Sequence, residues 1–172
     1  GIATVFQDLA LCENLDVVAN IFLGRELNPP RLDEVSMEIR AWTLLNELSA
    51  RIPSVREPVA SLSGGQRQTV AIARSLLTEP KLILLDEPTA ALGVAQTAEV
   101  LDLGVIMISH NMEDVRAVAD RIVVLRLGRN NGEFGPDASN QELVAAITGA
   151  DENSVSRRAT RRRSQQAPEA RP

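Results

Sequence analysis

Three short stretches of the chain are apolar without alternation: Ile2–Phe6, Leu82–Leu85 and Val105–Ile108. A strand with one wet face alternates apolar and polar residues, so uninterrupted runs of this length predict strands covered on both faces, as in a parallel sheet. Elsewhere apolar positions recur at helical spacing. Asp16–Leu23 predicts a short helix closed by Gly24, a residue suited to the left-handed C-terminal position. Asp33 to about Ala50 puts Val35, Ile39, Trp42, Leu45 and Leu48 on one face, with Pro53 just beyond as a stop. Gly65–Leu77 places Val70, Ala73, Leu76 and Leu77 at the same spacing. Arg121–Leu127 predicts a last strand running into Asn131-Gly132, a hairpin-turn pair. Ser139-Asn140-Gln141-Glu142 reads as a capping box for a helix through Thr148, ended by Gly149. Alternating strands and helices predict an α/β domain over residues 1–149: a mainly parallel sheet, helices on both faces, and an inserted helical lobe at about residues 14–80.

Composition narrows the setting. The 172 residues suffice for one domain with a sizeable core. All apolar runs are short, whereas a membrane-spanning helix needs about 20 apolar residues. The amino end, GIATVFQDLA, lacks the basic start and cleavage pattern of a secretory signal. A single cysteine, Cys12, excludes an internal disulfide and fits a reducing cytoplasm. The net charge of −5 is uneven: residues 151–172 carry +3, which leaves −8 on the rest. The cluster Arg157, Arg158 and Arg161–Arg163 could touch nucleic acid or anionic lipid. The scarcity of apolar residues around it fits a solvated, disordered tail over 150–172 better, so no nucleic-acid partner is expected.

Two motifs carry chemistry. Leu82–Pro88 ends an apolar strand in Asp86-Glu87, which puts two carboxylates at the carboxyl edge of a parallel sheet, where ligands bind in open α/β folds. Asp86 there can hold a magnesium ion that bridges phosphate oxygens, and Glu87 can orient or deprotonate a water. Taken singly, an apolar strand ending in Asp-Glu also arises by chance. In Ser61–Gln66, Gly64 and Gly65 open backbone N–H groups to close approach just where a helix starts. With the Ser63 hydroxyl, these donors and the positive helix end make an anion site. The alternative is a glycine-rich cap with no ligand.

In their order and spacing, Gln7 after the first strand, the helical insert, LSGGQ at Leu62–Gln66, LILLDEP at Leu82–Pro88 and His110 in ISHN resemble the ATP-binding-cassette ATPases, from about Gly1 to Gly149. The resemblance implies a P-loop NTPase-like fold, with ATP and Mg2+ as cofactors. By it, Gln7 contacts magnesium and the attacking water, Asp86 belongs to the magnesium site, and Glu87 is the catalytic glutamate. His110 contacts the γ-phosphate, although a lone histidine can also be structural. Ser63, Gly64, Gly65 and Gln66 meet ATP held by a second cassette, which implies a head-to-tail dimer. NLDVVANIFLGRE at Asn14–Glu26 and DEPTAALGVAQ at Asp86–Gln96 are similar to importers of ribose, xylose and similar monosaccharides. Such an importer works at the cytoplasmic face of the plasma membrane, on transmembrane permease subunits and, indirectly, with a sugar-binding protein. The alternatives are a degenerate, non-hydrolysing cassette that serves an intact partner, and a cassette protein outside transport.

The pattern is departed from in three places. G-x-x-x-x-G-K-[ST] needs a lysine after glycine, but Lys81, the lone lysine, follows Pro80. The expectation is a missing N-terminal portion carrying that loop, with negligible ATPase activity and poor solubility for the chain alone. Val94–Val105 is short for a helix that must recross the sheet, which suggests an internal deletion. Gly93 stands where many cassettes have aspartate.

Overall fold

The computed structural model describes residues 1–88, 93–95, 98 and 101–150, so the arginine-rich tail lies outside the described residues. The chain divides into two compact units, 1–114 and 115–172.

The first unit is built on a three-stranded parallel sheet, ordered β1 (Ile2–Val5), β2 (Leu82–Asp86), β3 (Gly104–Ile108). In register, Val5 pairs with Leu85, and Asp86 with Ile108. The parallel strands predicted from apolar runs are therefore present, each within a residue of its expected limits. Val5, Ile83 and Leu85 are buried in one cluster with residues of the helical segment. On the opposite face, Ile2, Ile106 and Ile108 are exposed.

Between β1 and β2 lie α1 (Val17–Phe22), α2 (Glu34–Glu47), a 3-10 turn (Val59–Ser61) and α3 (Gly64–Leu76). Asp16 caps α1 by accepting from the Ala19 N–H, and Asp33 caps α2 by accepting from that of Ser36. Apolar burial locks these helices together: Val17, Ile21, Phe22, Ala41, Leu45, Val59 and Val70 have no exposed surface.

The expected inner face of α2 needs correction. Met37, Ala41, Leu44, Leu45 and Leu48 are buried, whereas Val35 is 71 % and Ile39 62 % exposed. The buried set follows i, i+4, i+7, i+8, i+11, a helical stripe that includes the small Ala41.

The link read as short for a helix that must recross the sheet joins parallel neighbours and lies only in part among the described residues. Residues 93–95 and 98 are helical, and Val94 and Ala98 are buried. The Leu103 N–H donates to the Ala98 carbonyl at 2.9 Å, and β3 begins at the next residue. A helix absent from the sequence reading, α4 (Met112–Val118), follows β3. Its signal is the Asn111 side chain, which accepts from the Glu113 N–H at 3.1 Å ahead of an acidic first turn.

In the second unit, β4 (Ile122–Arg126) and β5 (Arg129–Phe134) form an antiparallel hairpin. Its turn is Leu127-Gly128, not the expected Asn131-Gly132, which lies inside β5. Both turn residues have positive φ, +49° and +75°, the backbone that a two-residue hairpin loop requires. α5 (Asn140–Thr148) starts at the predicted capping box, Ser139 with Glu142, and ends at left-handed Gly149.

Candidate functional site

The parallel register sends three chain segments off the same sheet edge. β1 ends at Val5 and β2 at Asp86, and Val5 pairs with Leu85, so Gln7 and Glu87 leave the sheet at matching positions. Asp86 pairs with Ile108, and His110 follows two residues later. This is the carboxyl edge of the sheet, where side chains projecting past the strand ends face an open crevice. Asp86 and Glu87 are half-buried, and Gln7 is exposed.

Glu87 is held from two sides. Its N–H donates to the Ile108 carbonyl at 2.8 Å, and its φ is +50°, a left-handed conformation uncommon for a residue other than glycine. His110 Nδ1 donates to Glu87 Oε2 at 2.5 Å. This hydrogen bond, reinforced by the carboxylate's charge, raises the His110 pKa above its ordinary 6.5.

The stretch after Gln7 runs against α3. Arg74 donates from Nη2 to the Leu9 carbonyl and from Nη1 to the Ala10 carbonyl, both at 2.8 Å. Near the other end of α3, Arg67 pairs with Glu13 at 3.3 Å. Asn20 is fully buried and grips residue 12 twice: its Oδ1 accepts from the Cys12 N–H at 2.7 Å, and its Nδ2 donates to the Cys12 carbonyl at 2.9 Å. Beyond that, the Val59 N–H donates to the Leu15 carbonyl and the Ala60 N–H to that of Glu13, which stitches this loop to the approach to α3.

At the start of α3 the Ser63 hydroxyl accepts from the Gln66 N–H at 3.3 Å, and Gln66 Oε1 accepts from the Ser63 N–H at 2.9 Å. Gln66 Nε2 also donates to the Arg51 carbonyl at 2.6 Å. Glycine is a poor helix former, though in the first turn it costs less than in a helix interior. Neither is demanded by internal packing, because a Cβ built on Gly64 or Gly65 meets nothing within 4 Å.

The structure thus brings Gln7, Asp86, Glu87 and His110 to one sheet edge and sets Ser63–Gln66 apart at a helix start. No hydrogen bond or ion pair joins the two groups among the described residues. The ABC transporter family pattern matches residues 1–90, just over half of the chain. The chain belongs to the ABC transporter family.

The fructose import ATP-binding protein FrcA of Rhizobium meliloti is 43 % identical to this ABC chain over 171 residues, which cover 88 % of the chain and 66 % of that protein. The xylose/arabinose import ATP-binding protein XylG of Sulfolobus acidocaldarius is 45 % identical over 157 residues, 86 % of the chain and 62 % of its own length. The chain therefore spans a little under two thirds of the length of these two relatives. In fold it is similar to a dimeric ATP-binding cassette bound to ADP and Pi in a post-hydrolysis state, with a TM-score of 0.67 and 26 % identity over 80 % of this chain and 64 % of that one. The α/β, P-loop-type fold is thereby shown.

The ABC site residues suit a hard divalent cation only in part. Asp86 ends one strand and Gln7 lies just past the end of its neighbour, so an oxygen-bearing side chain stands at each of two adjacent strand ends. Among the described residues, no three His, Cys, Asp or Glu side chains group to hold a metal by themselves. That fits magnesium, which takes one or two protein oxygens and completes its shell with water and phosphate. The loop contacts of Arg74 and Asn20 were not legible in the sequence, because their partners are main-chain groups, remote along the chain for Arg74, that leave no side-chain pattern.

Proposed function

We propose that this chain is the ATP-binding and hydrolysing segment of an importer for carbohydrate, acting peripherally at the cytoplasmic face of the plasma membrane. The observation that carries the reading is Glu87 held by His110 at the edge where Gln7 and Asp86 also end. The sugar-import names of these two relatives, FrcA and XylG, support the cargo class. The partners in this reading are a second cassette in head-to-tail array, transmembrane permease subunits and, through them, a sugar-binding protein.

Each residue has a part set by its place. Asp86 and Gln7 would hold Mg2+, which when bound with ATP neutralises phosphate charge. Glu87, half-buried, accepts a proton from water or orients it, and its left-handed backbone fixes where the carboxylate points. His110 steadies that carboxylate through Nδ1 and leaves Nε2 to face a phosphate oxygen. Ser63, Gly64 and Gly65 present a hydroxyl and amide donors at a helix start to the nucleotide of the opposite cassette, with Gln66 shaping that turn. The 172 residues contain no G-x-x-x-x-G-K-[ST] segment. Without that segment the chain by itself is expected to turn over ATP negligibly, while its Ser63–Gln66 half-site serves a partner.

Light scattering on the chain mixed with an intact cassette tests this. Mg2+-dependent, ATP-dependent association is expected, and Ser63→Arg abolishes it. A soluble monomer of this chain that binds ATP with micromolar affinity overturns the half-site reading. Uptake assays with labelled monosaccharides on the complete importer test the cargo, and exclusive transport of a different cargo class refutes carbohydrate alone.

A further inference from the structure

We propose that Arg74 is a positioning residue that fixes the loop carrying Gln7 against α3, through a two-pronged clamp on consecutive carbonyls. The geometry is specific. The two terminal nitrogens of one guanidinium each donate at 2.8 Å, to Leu9 and Ala10. A planar fork matches two acceptors at once, whereas an ammonium offers a point charge. Leu9 and Leu11 also pack against the core, so the clamp adds a polar anchor between two apolar ones. The Ala10 backbone is left-handed, at φ +48°, and the Ala10 N–H is satisfied by the neighbouring Asp8 side chain at 3.2 Å. The next fixed points are the grip of Asn20 on Cys12 and the surface pair Glu13–Arg67.

Arg74 is itself held. Its carbonyl accepts from Arg25 Nη1 at 3.3 Å, and burial pulls the Arg74 pKa down from its ordinary value. A half-buried guanidinium that loses solvent must keep its acceptors, which makes the two carbonyls necessary partners and not incidental ones. α3 starts at the Ser63–Gln66 turn and carries Arg74 near its other end, at a separation of about 15 Å by helical rise. One rigid rod therefore bears both the half-site offered to the partner and the clamp on the Gln7 loop. The inference rests on the reading of Gln7 as a nucleotide-site residue, although the clamp itself stands on the hydrogen bonds alone.

Hydrogen–deuterium exchange on the full 172-residue chain at high dilution tests it, comparing the peptide over residues 6–12 with that over 68–76. Arg74→Ala should speed exchange in 6–12 roughly tenfold or more and leave 68–76 protected as before. Arg74→Lys, which keeps the charge but not the fork, should fall between arginine and alanine or match alanine. Unchanged exchange in 6–12 overturns the proposal. So does a parallel rise in both peptides, which would mark Arg74 as a general stabiliser, and so does full restoration by lysine, which would replace the clamp by charge alone. None of these readouts needs nucleotide, so a failure of ATP-dependent association would refute the proposed function and leave this result intact.

Discussion

Glu87 and His110 hold one another at an exposed edge, and the pH dependence of that contact follows from its sign. The carboxylate raises the folded-state pKa of His110 above 6.5, so the contribution of the pair is present in full below that unfolded value and is lost as pH rises through the raised one. With the imidazole 88 % exposed, solvent screens the charge and the effect on stability is small. The titration itself is the better readout. The chain has one histidine, so its imidazole proton signal is unambiguous. Glu87→Gln should move the His110 midpoint down toward the ordinary value, and an unmoved midpoint would mean the two groups do not meet in solution. At this scale the sequence was informative wherever chemistry sits in a side chain at a strand end, as for Gln7, Asp86, Glu87 and His110. It was silent on Asn20 and Arg74, whose roles depend on main-chain atoms that only the folded loop brings near.

Element by element, the alternation of strand and helix was legible, and faces and turns were less so. On α2, Val35 and Ile39 are strong apolar residues that invite assignment to the inner face. The actual stripe passes through Met37 and Ala41, a helical face that residue size alone does not reveal in the sequence. Val35→Gln and Ile39→Gln should each change stability by less than about 0.5 kcal/mol, whereas Leu45→Ala, at a fully buried site, should cost about 2–5 kcal/mol. Chemical denaturation of the three variants checks this, and equal losses would restore the other face. The hairpin shows the same limit, since Asn-Gly is the stronger turn signal. Pairing of Arg126 with Arg129 nevertheless puts the turn at Leu127-Gly128 and takes Asn131 into the strand, where its side chain donates to the Ala146 carbonyl. Helix α3 offers a sharper test of function against fold. Gly65→Ala meets no obstacle and should stabilise the chain by about 0.5–1 kcal/mol in denaturation. The same variant should weaken ATP-dependent association with an intact cassette. A gain in stability with unimpaired association would mean that no partner approaches this glycine.

At the scale of the molecule, one face of the parallel sheet is apolar and exposed among the described residues. Parallel sheets are ordinarily covered on both faces. Here Ile2, Ile106 and Ile108 point to the same side, opposite buried Ile83 and Leu85, and are 68 %, 50 % and 59 % exposed. β3 has no neighbour on its far side among the described residues, so its outer row of N–H and C=O groups is open as well. An exposed edge with apolar residues beside it is a template for strand pairing between chains. β3 is therefore expected to contribute to self-association. Ile106→Lys with Ile108→Lys puts two like charges on that strand, which oppose the approach of a second copy without disturbing buried residues. The double variant should remain monomeric to a protein concentration roughly tenfold higher than the parent, with its far-ultraviolet circular dichroism unchanged. Sedimentation velocity across a concentration series measures the shift. Association that persists undiminished in a variant of native helicity would place the contact on another surface.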